Sequence, residues 1–260
     1  MNQDALYPLE NEASKQTQLF VVCDGIGGAD KGEIASQLLC AGIAQYASAM
    51  GHPVLDQVHL RAALDGIYAD YRAYLREHPL VNRMGSTLAL VQFHQQGVTV
   101  AHIGDSRVYQ IRDGRILFRT KDHKQVNEMV EAGIITTEQA RTHPWRNRLS
   151  RAVIAGANAD SQKSANVEPD LTMLTDIKVG DYFFLCTDGV LEQIDDEILT
   201  QLLTGDESDQ AKVQSLLTLC DGQTQDNYSG YLISVQSINQ GDSRESVGER
   251  SPLSTQSVWH

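Results

Sequence analysis

Thiols are scarce in this 260-residue chain. Its four cysteines are Cys23, Cys40, Cys186 and Cys220, and none forms a CxxC pair. Cys23 and Cys186 end the apolar runs LFVVC and YFFLC, so they read as small buried hydrophobes of a reducing compartment. Long hydrophobic runs are missing too: nothing approaches the roughly 20 apolar residues that cross a bilayer. The opening segment MNQDALYPLENEASK is polar and acidic, which is not the pattern of a signal peptide. A soluble, cytoplasmic protein is expected. Positive charge is in short supply, with 21 Lys and Arg against 34 Asp and Glu, a formal net charge of −13. Nucleic acids and anionic membranes both select clustered bases, so neither is an expected partner. There is no GxxxxGK[ST] phosphate loop and no DxDxT, which removes P-loop NTPases and phosphoaspartyl enzymes. The residues six beyond the cysteines are Ala29, Tyr46, Glu192 and Asp226, so the Cys-x5-Arg of cysteine phosphatases is absent as well. No repeat of fixed period occurs.

What is present is a succession of short apolar runs separated by turns and helical patterns. LFVVCD (19–24) is a continuous apolar run that delivers Asp24 at its tip, followed by the glycine-rich turn DGIGG. Apolar residues at helical spacing predict helices over 32–50 and about 55–76. STLALVQF and VTVAHI flank HQQG as a hairpin, and VYQIR and RILFR flank Asp113-Gly114 as another. Residues 122–142 read as helical. The stretch 142–167 reads as an irregular loop or flap. YFFLC leads into a second Asp-Gly, helices are expected near 195–204 and 208–220, and GYLIS is the last strand. Six serines and few large apolar residues over 237–260 predict a disordered tail, dispensable for catalysis. Hairpins dominate the middle of the chain, so antiparallel pairing is expected within a layered α+β domain.

Four acids recur at the ends of apolar segments: Asp24 in DGIGG, Asp105 in IGDSR, Asp188 in CTDGV and Asp226 in QDN. Taken singly, each motif reads as a turn or a helix cap. Together they place carboxylates on rigid strand ends, where a shared cleft would force them to repel one another unless cations sat among them. An all-oxygen donor set favours hard ions such as Mg²⁺ or Mn²⁺. Glycine after Asp24 has no Cβ, so the backbone can come close and the Gly25 carbonyl can serve as a further ligand.

The order and wording of these segments resemble the PP2C (PPM) phosphatases, bacterial branch, over roughly residues 2–236. The resemblance rests on NQDA (2–5), VCDGIGGADKGEIAS (22–36), GSTL (85–88), AHIGDSRVYQIRDG (101–114), TKDH (120–123), GDYFFLCTDGV (180–190) and DNYSGYLISV (226–235). It implies a central sandwich of two antiparallel sheets flanked by helices, four layers in all, over 1–236. It implies hydrolysis of phosphoserine or phosphothreonine by a water activated between two divalent ions, Mn²⁺ or Mg²⁺, opposing a bacterial Ser/Thr kinase. By motif, Asp24 would bridge both ions, the Gly25 carbonyl would bind one, and Asp188 and Asp226 would complete the other. Asp4 would hold associated waters, and Asp105 would belong to a third, weaker site. Phosphoproteins are the implied partners of a monomer. Two departures stand out. The family's phosphate-binding arginine lies three residues before the Asn of this motif, a slot that precedes Asn2, so Arg107, Lys31 or Arg146 would have to substitute. A catalytically weak PP2C-like binding module is therefore the alternative reading. Where animal members carry a histidine, this chain has Ile26; His102 and His123 lie beside matched motifs and read as structural, which leaves the general acid unassigned.

Overall fold

A strand that is apolar on both faces needs cover on both. β2 (Leu19–Asp24) shows how this chain provides it. Leu19, Val21 and Cys23 face a helical layer, while the alternate residues Phe20 and Val22 face a second sheet. β10 (Tyr182–Cys186) repeats the design: Phe183 and Leu185 point inward between the sheets, Phe184 and Cys186 outward against helices. The computed structural model describes residues 2–9, 12–14, 16–26, 31–156 and 167–238, together with the backbone of 256–259.

The first sheet joins β1 (Asp4–Tyr7), β2, β4 (Leu88–His94), β5 (Gly97–Ile103) and β9 (Asp170–Leu174), in that order. The second joins β12 (Gln256–Trp259), β11 (Gly230–Ser234), β10, β6 (Arg107–Arg112) and β7 (Arg115–Arg119). A small third sheet pairs β3 (Arg83–Ser86) with β8 (Val153–Gly156). Every pairing is antiparallel. α1 (Gly32–Ala49) and α2 (Gln57–Glu77) cover the first sheet. α5 (Asp188–Leu191), α6 (Asp196–Thr204) and α7 (Asp209–Cys220) cover the second. The result is the expected α+β sandwich in four layers. Helix ends carry the caps their sequences offer: Asp56 accepts from Val58 N at 3.0 Å and His59 N at 2.9 Å, and Asp195 accepts from Ile198 N at 2.8 Å. The Asp113-Gly114 hairpin is present, both residues at positive φ (49° and 67°), the requirement of a type I′ turn.

The four cysteines are free and buried. Among the described residues no helix is long and apolar enough to cross a membrane. The predicted helical stretch 122–142 is two short helices, α3 (Gln125–Glu131) and α4 (Thr137–Thr142). Four strands depart from expectation, beginning with β3, which starts before the expected run STLALVQF. β8 lies in the stretch read as an irregular loop, because its backbone pairs with β3 across the chain; residues 157–166 of that stretch fall outside the described residues. β9, which no pattern announced, closes the edge of the first sheet against β5. β12 falls within the tail read as disordered, yet its backbone pairs with β11; residues 239–255 lie outside the described residues.

Candidate active site, a cluster of carboxylates between the sheet ends

Antiparallel register puts Asp4 of β1 directly across from Asp24 of β2. The backbone of Asp24 is fixed from its other side. Its N–H donates to Thr87 Oγ1 at 3.0 Å, and its carbonyl accepts from Thr87 N at 2.8 Å and Ser86 Oγ at 2.9 Å. Thr87 Oγ1 is in turn 2.6 Å from Ser106 Oγ, beside Asp105. Just past Asp24, Gly25 N donates to Gln3 O at 3.0 Å. A Cβ on Gly25 would fall 2.2 Å from Gly32 O and 2.8 Å from Gln3 O, so the end of β2 and the start of α1 cross backbone to backbone. Gly27 and Gly28 lie outside the described residues.

The second sheet supplies the opposite wall. β10 ends at Cys186, and Thr187 then N-caps α5, whose first residue is Asp188. Thr187 Oγ1 accepts from Ser229 N at 3.0 Å and donates to Asp4 Oδ2 at 3.1 Å, a link between the two sheets. Gly189 is needed here: a Cβ would stand 2.0 Å from Asn227 O. Asn227 Oδ1 accepts from Gln3 N at 2.9 Å, which ties the loop of exposed Asp226 to the β1 end. Glu192 holds that loop from below, accepting from Gln225 N at 2.8 Å and Asp226 N at 3.3 Å. Asp105, 4% exposed, comes from the loop between β5 and β6. The five acids anticipated from sequence thus meet in one place.

The protein phosphatase 2C profile matches residues 1–218. The chain belongs to the PP2C family. It is 34% identical over 203 residues to the serine/threonine protein phosphatase PstP of Mycobacterium tuberculosis, covering 78% of this chain and 36% of PstP, so it spans about a third of that relative's length. It is 28% identical over 209 residues to the protein phosphatase PhpP of Streptococcus pneumoniae, covering 79% of each. A crystal structure of the M. tuberculosis PstP phosphatase superposes with a TM-score of 0.74 at 31% identity, over 91% of this chain and 93% of that one. A PstP catalytic domain described as a complex with two manganese ions superposes with a TM-score of 0.71 at 30% identity, over 91% and 93%.

The electrostatics of the carboxylate cluster follow from burial and mutual repulsion. Burial, then the charges of Asp4, Asp188, Asp105 and Asp226, holds the Asp24 carboxyl well above the usual carboxylate range. Burial and the charge of Asp105 push Asp188 up to about 7. Burial pushes Asp4 up to about 6, with the Thr187 hydroxyl opposing it and the charge of Asp226 adding to it. Two unit charges ~4 Å apart interact by roughly 4 kcal/mol at an effective dielectric constant near 20. Asp4 Oδ1 and Asp188 Oδ1 are buried without a hydrogen-bond partner. Asp181 makes the contrast plain: fully buried in the second sheet, it has Arg112 Nε at 2.6 Å, Gln110 Nε2 at 2.9 Å and Lys178 N at 3.0 Å. An acid buried for structure alone is partnered; these two aim bare oxygens at their neighbours. Their all-oxygen chemistry fits a hard divalent ion.

One further group offers ligand atoms: His102, His123 and Asp170 bring them within 4.8 Å of one another. These atoms are engaged locally. His123 Nδ1 accepts from Gly104 N at 3.0 Å, which puts the proton of the neutral ring on Nε2, 3.0 Å from Asp170 Oδ2. Burial lowers the pKa of both histidines, which keeps the rings neutral. His102 Nε2 donates to Lys121 O at 2.9 Å, and the two rings stack at 4.5 Å. Arg151 pairs with Asp170 at 2.7 Å. His123 thereby clamps the loop that carries Asp105, the structural reading its sequence position suggested.

Arg107 does not take the part of a phosphate-binding arginine. Its Nε and Nη2 hold Asp122 at 2.6 and 2.8 Å, and its Nη1 donates to Tyr109 Oη at 2.9 Å. Lys31 is 3.2 Å from Glu33 and remains 41% exposed. Arg146 is exposed on the flap. Sequence reasoning missed Glu192, Thr87 and Thr187, whose hydroxyls and carboxylate position the acids; Thr187 beside Asp188 and Thr87 in GSTL were visible, but not their directions. It also missed Lys124, whose ammonium lies 3.0 Å from Asp105 Oδ2.

Proposed function

We propose that this chain removes phosphate from phosphoserine and phosphothreonine in proteins with the help of two divalent ions, Mn²⁺ or Mg²⁺. The observation that carries the reading is the convergence of five carboxylates, two of them with buried, unpartnered oxygens. Asp24, the Gly25 carbonyl, Asp188 and Asp226 would hold the ions, and Asp4 would orient water. When bound, such ions neutralise phosphoryl charge and lower the pKa of water toward neutrality. The chain's own part is to hold these oxygens rigidly. Thr87 and Ser86 fix the Asp24 backbone, Thr187 orients Asp4, and Glu192 seats the Asp226 loop. Covalent catalysis by cysteine has no support: burial pushes the Cys23 and Cys186 thiols up, away from the thiolate. In this reading the substrates are products of a Ser/Thr kinase, the chain acts as a cytoplasmic monomer, and 1–236 is the catalytic unit.

A phosphothreonine peptide incubated with the chain and Mn²⁺ should release phosphate, and EDTA should stop it. A second reading, a PP2C-like module that binds without turnover, is favoured by the commitment of Arg107 to Asp122. Tight Mn²⁺ binding without phosphate release would select it.

A further inference from the structure

Of the five clustered acids Asp105 is buried to 4% exposure, and its carboxylate already has a cation. Lys124 Nζ lies 3.0 Å from its Oδ2, and the lysine side chain is itself only 18% exposed. The same ammonium is 3.9 Å from Asp122, but Asp122 is neutralised by the two-pronged contact of Arg107. The close contact of Lys124 is therefore the one with Asp105. Its backbone is not free to swing out. Lys124 caps α3 and bridges Leu149, and the neighbouring Gln125 N donates to Arg148 O at 2.9 Å. The Asp105 loop is anchored as firmly, with Gly104 N on His123 Nδ1 and Gly104 O on His123 N.

We propose that Lys124 is a built-in cation that fills the seat beside Asp105, so that divalent ions are confined to Asp4, Asp24, Asp188 and Asp226. This rests on the metal reading above, and it replaces the third, weaker ion expected at Asp105. A divalent ion seeking Asp105 Oδ2 would meet an ammonium within hydrogen-bond distance of the same oxygen. To enter, it must expel a lysine whose backbone is pinned on two sides. The ammonium is compact and carries no fork, so it hydrogen-bonds one carboxylate, Asp105, while its charge also acts on Asp188.

The test counts Mn²⁺ bound to the full chain, without substrate, by calorimetric titration with electron paramagnetic resonance of the free ion. Lys124→Gln should bind one more Mn²⁺ than the parent, or bind its weakest ion about tenfold more tightly, a change of ~1.4 kcal/mol. Lys124→Arg should keep the parent count. Asp105→Asn, which leaves the other four acids in place, should keep it too. The Lys124→Gln/Asp105→Asn double variant should lose the added ion. An unchanged count and affinity in Lys124→Gln, with its circular dichroism intact, overturns the proposal. So does loss of an ion in Asp105→Asn, which decides the matter even if Lys124→Gln does not fold. A parent chain that binds no Mn²⁺ removes the metal reading and this proposal together, whereas the two outcomes before it remove this proposal alone.

Discussion

Asp188 and Asp181 stand seven residues apart in the chain, the first partly and the second fully buried, and their surroundings differ completely. Asp181 is enclosed by an arginine, an amide and a backbone N–H. Asp188 opens α5 with one oxygen unpartnered and a pKa pushed up to about 7, by burial first and by Asp105 next. A charge kept in such a place destabilises the metal-free fold. Asp188→Asn should therefore raise the metal-free thermal midpoint while abolishing the rise that Mn²⁺ produces in the parent chain. Turnover should drop at least about a hundredfold, equivalent to ~2.7 kcal/mol of lost transition-state stabilisation. Asp24→Ala should lose turnover as well. A phosphatase assay run beside differential scanning fluorimetry separates these effects, and near-parental activity in either variant would refute the assignment. Asp24, Asp105 and Asp188 were legible because each lies at or just beyond the end of an apolar run, and Asp226 because it sits in a turn just before the last one. Lys124 and Glu192 were not, since a lone Lys or Glu in a polar stretch has no pattern to betray its partner.

At the scale of elements, the site is built where backbones pass one another closely. The TDG glycine looks in sequence like a helix start, and α5 is indeed there. Its further demand comes from the Asn227 carbonyl, which a Cβ on Gly189 would approach to 2.0 Å. Gly189→Ala should shift the Asp226 loop, lowering stability by roughly 1–3 kcal/mol, the usual range for overpacking. Mn²⁺ affinity should fall with it; isothermal titration and chemical denaturation on one preparation would read both, and unaltered affinity would show that the loop does not depend on this contact. The Asp113-Gly114 hairpin, by contrast, was fully readable, because a turn that needs two positive φ values announces itself by residue type. β3, β8 and β9 are short; β8 alternates buried and half-buried residues over only four positions, and β9 is half-exposed with no regular alternation. Their strand character comes from partners 67 to 76 positions away: Ser86 pairs with Val153, and Val98 with Leu174. No local pattern carries that information.

Across the whole molecule, two long-range balances meet. The inner layer packs Phe20, Phe93, Phe183 and Tyr231 edge to face between the sheets. Phe183→Ala should cost about 3–5 kcal/mol in chemical denaturation, as large-to-small changes in a closed core do. The other balance is charge. Asp4 and Asp188 bind protons more tightly in the folded chain than in the unfolded one, their pKa values being raised from 3.8 to about 6 and about 7. In the metal-free protein this contribution is present at low pH and is lost as pH rises from about 4 to about 7, since the folded state then holds the extra protons. Thermal midpoints measured with EDTA should fall across that window relative to those with saturating Mn²⁺; parallel curves would argue that the cluster is not where the metal acts. The amino-acid sequence by itself determined the layers, because strands apolar on both faces must be covered on both, and it determined that Asp24 and Asp188 would follow apolar runs, because Asp-Gly terminates them. Only the tertiary structure decided that Asp105 is answered by Lys124, that Arg107 is committed to Asp122 and that Thr187 reaches Asp4 from the other sheet. Those choices join residues from 15 to 183 positions apart, and they follow from sheet register and from which side chains burial leaves without water.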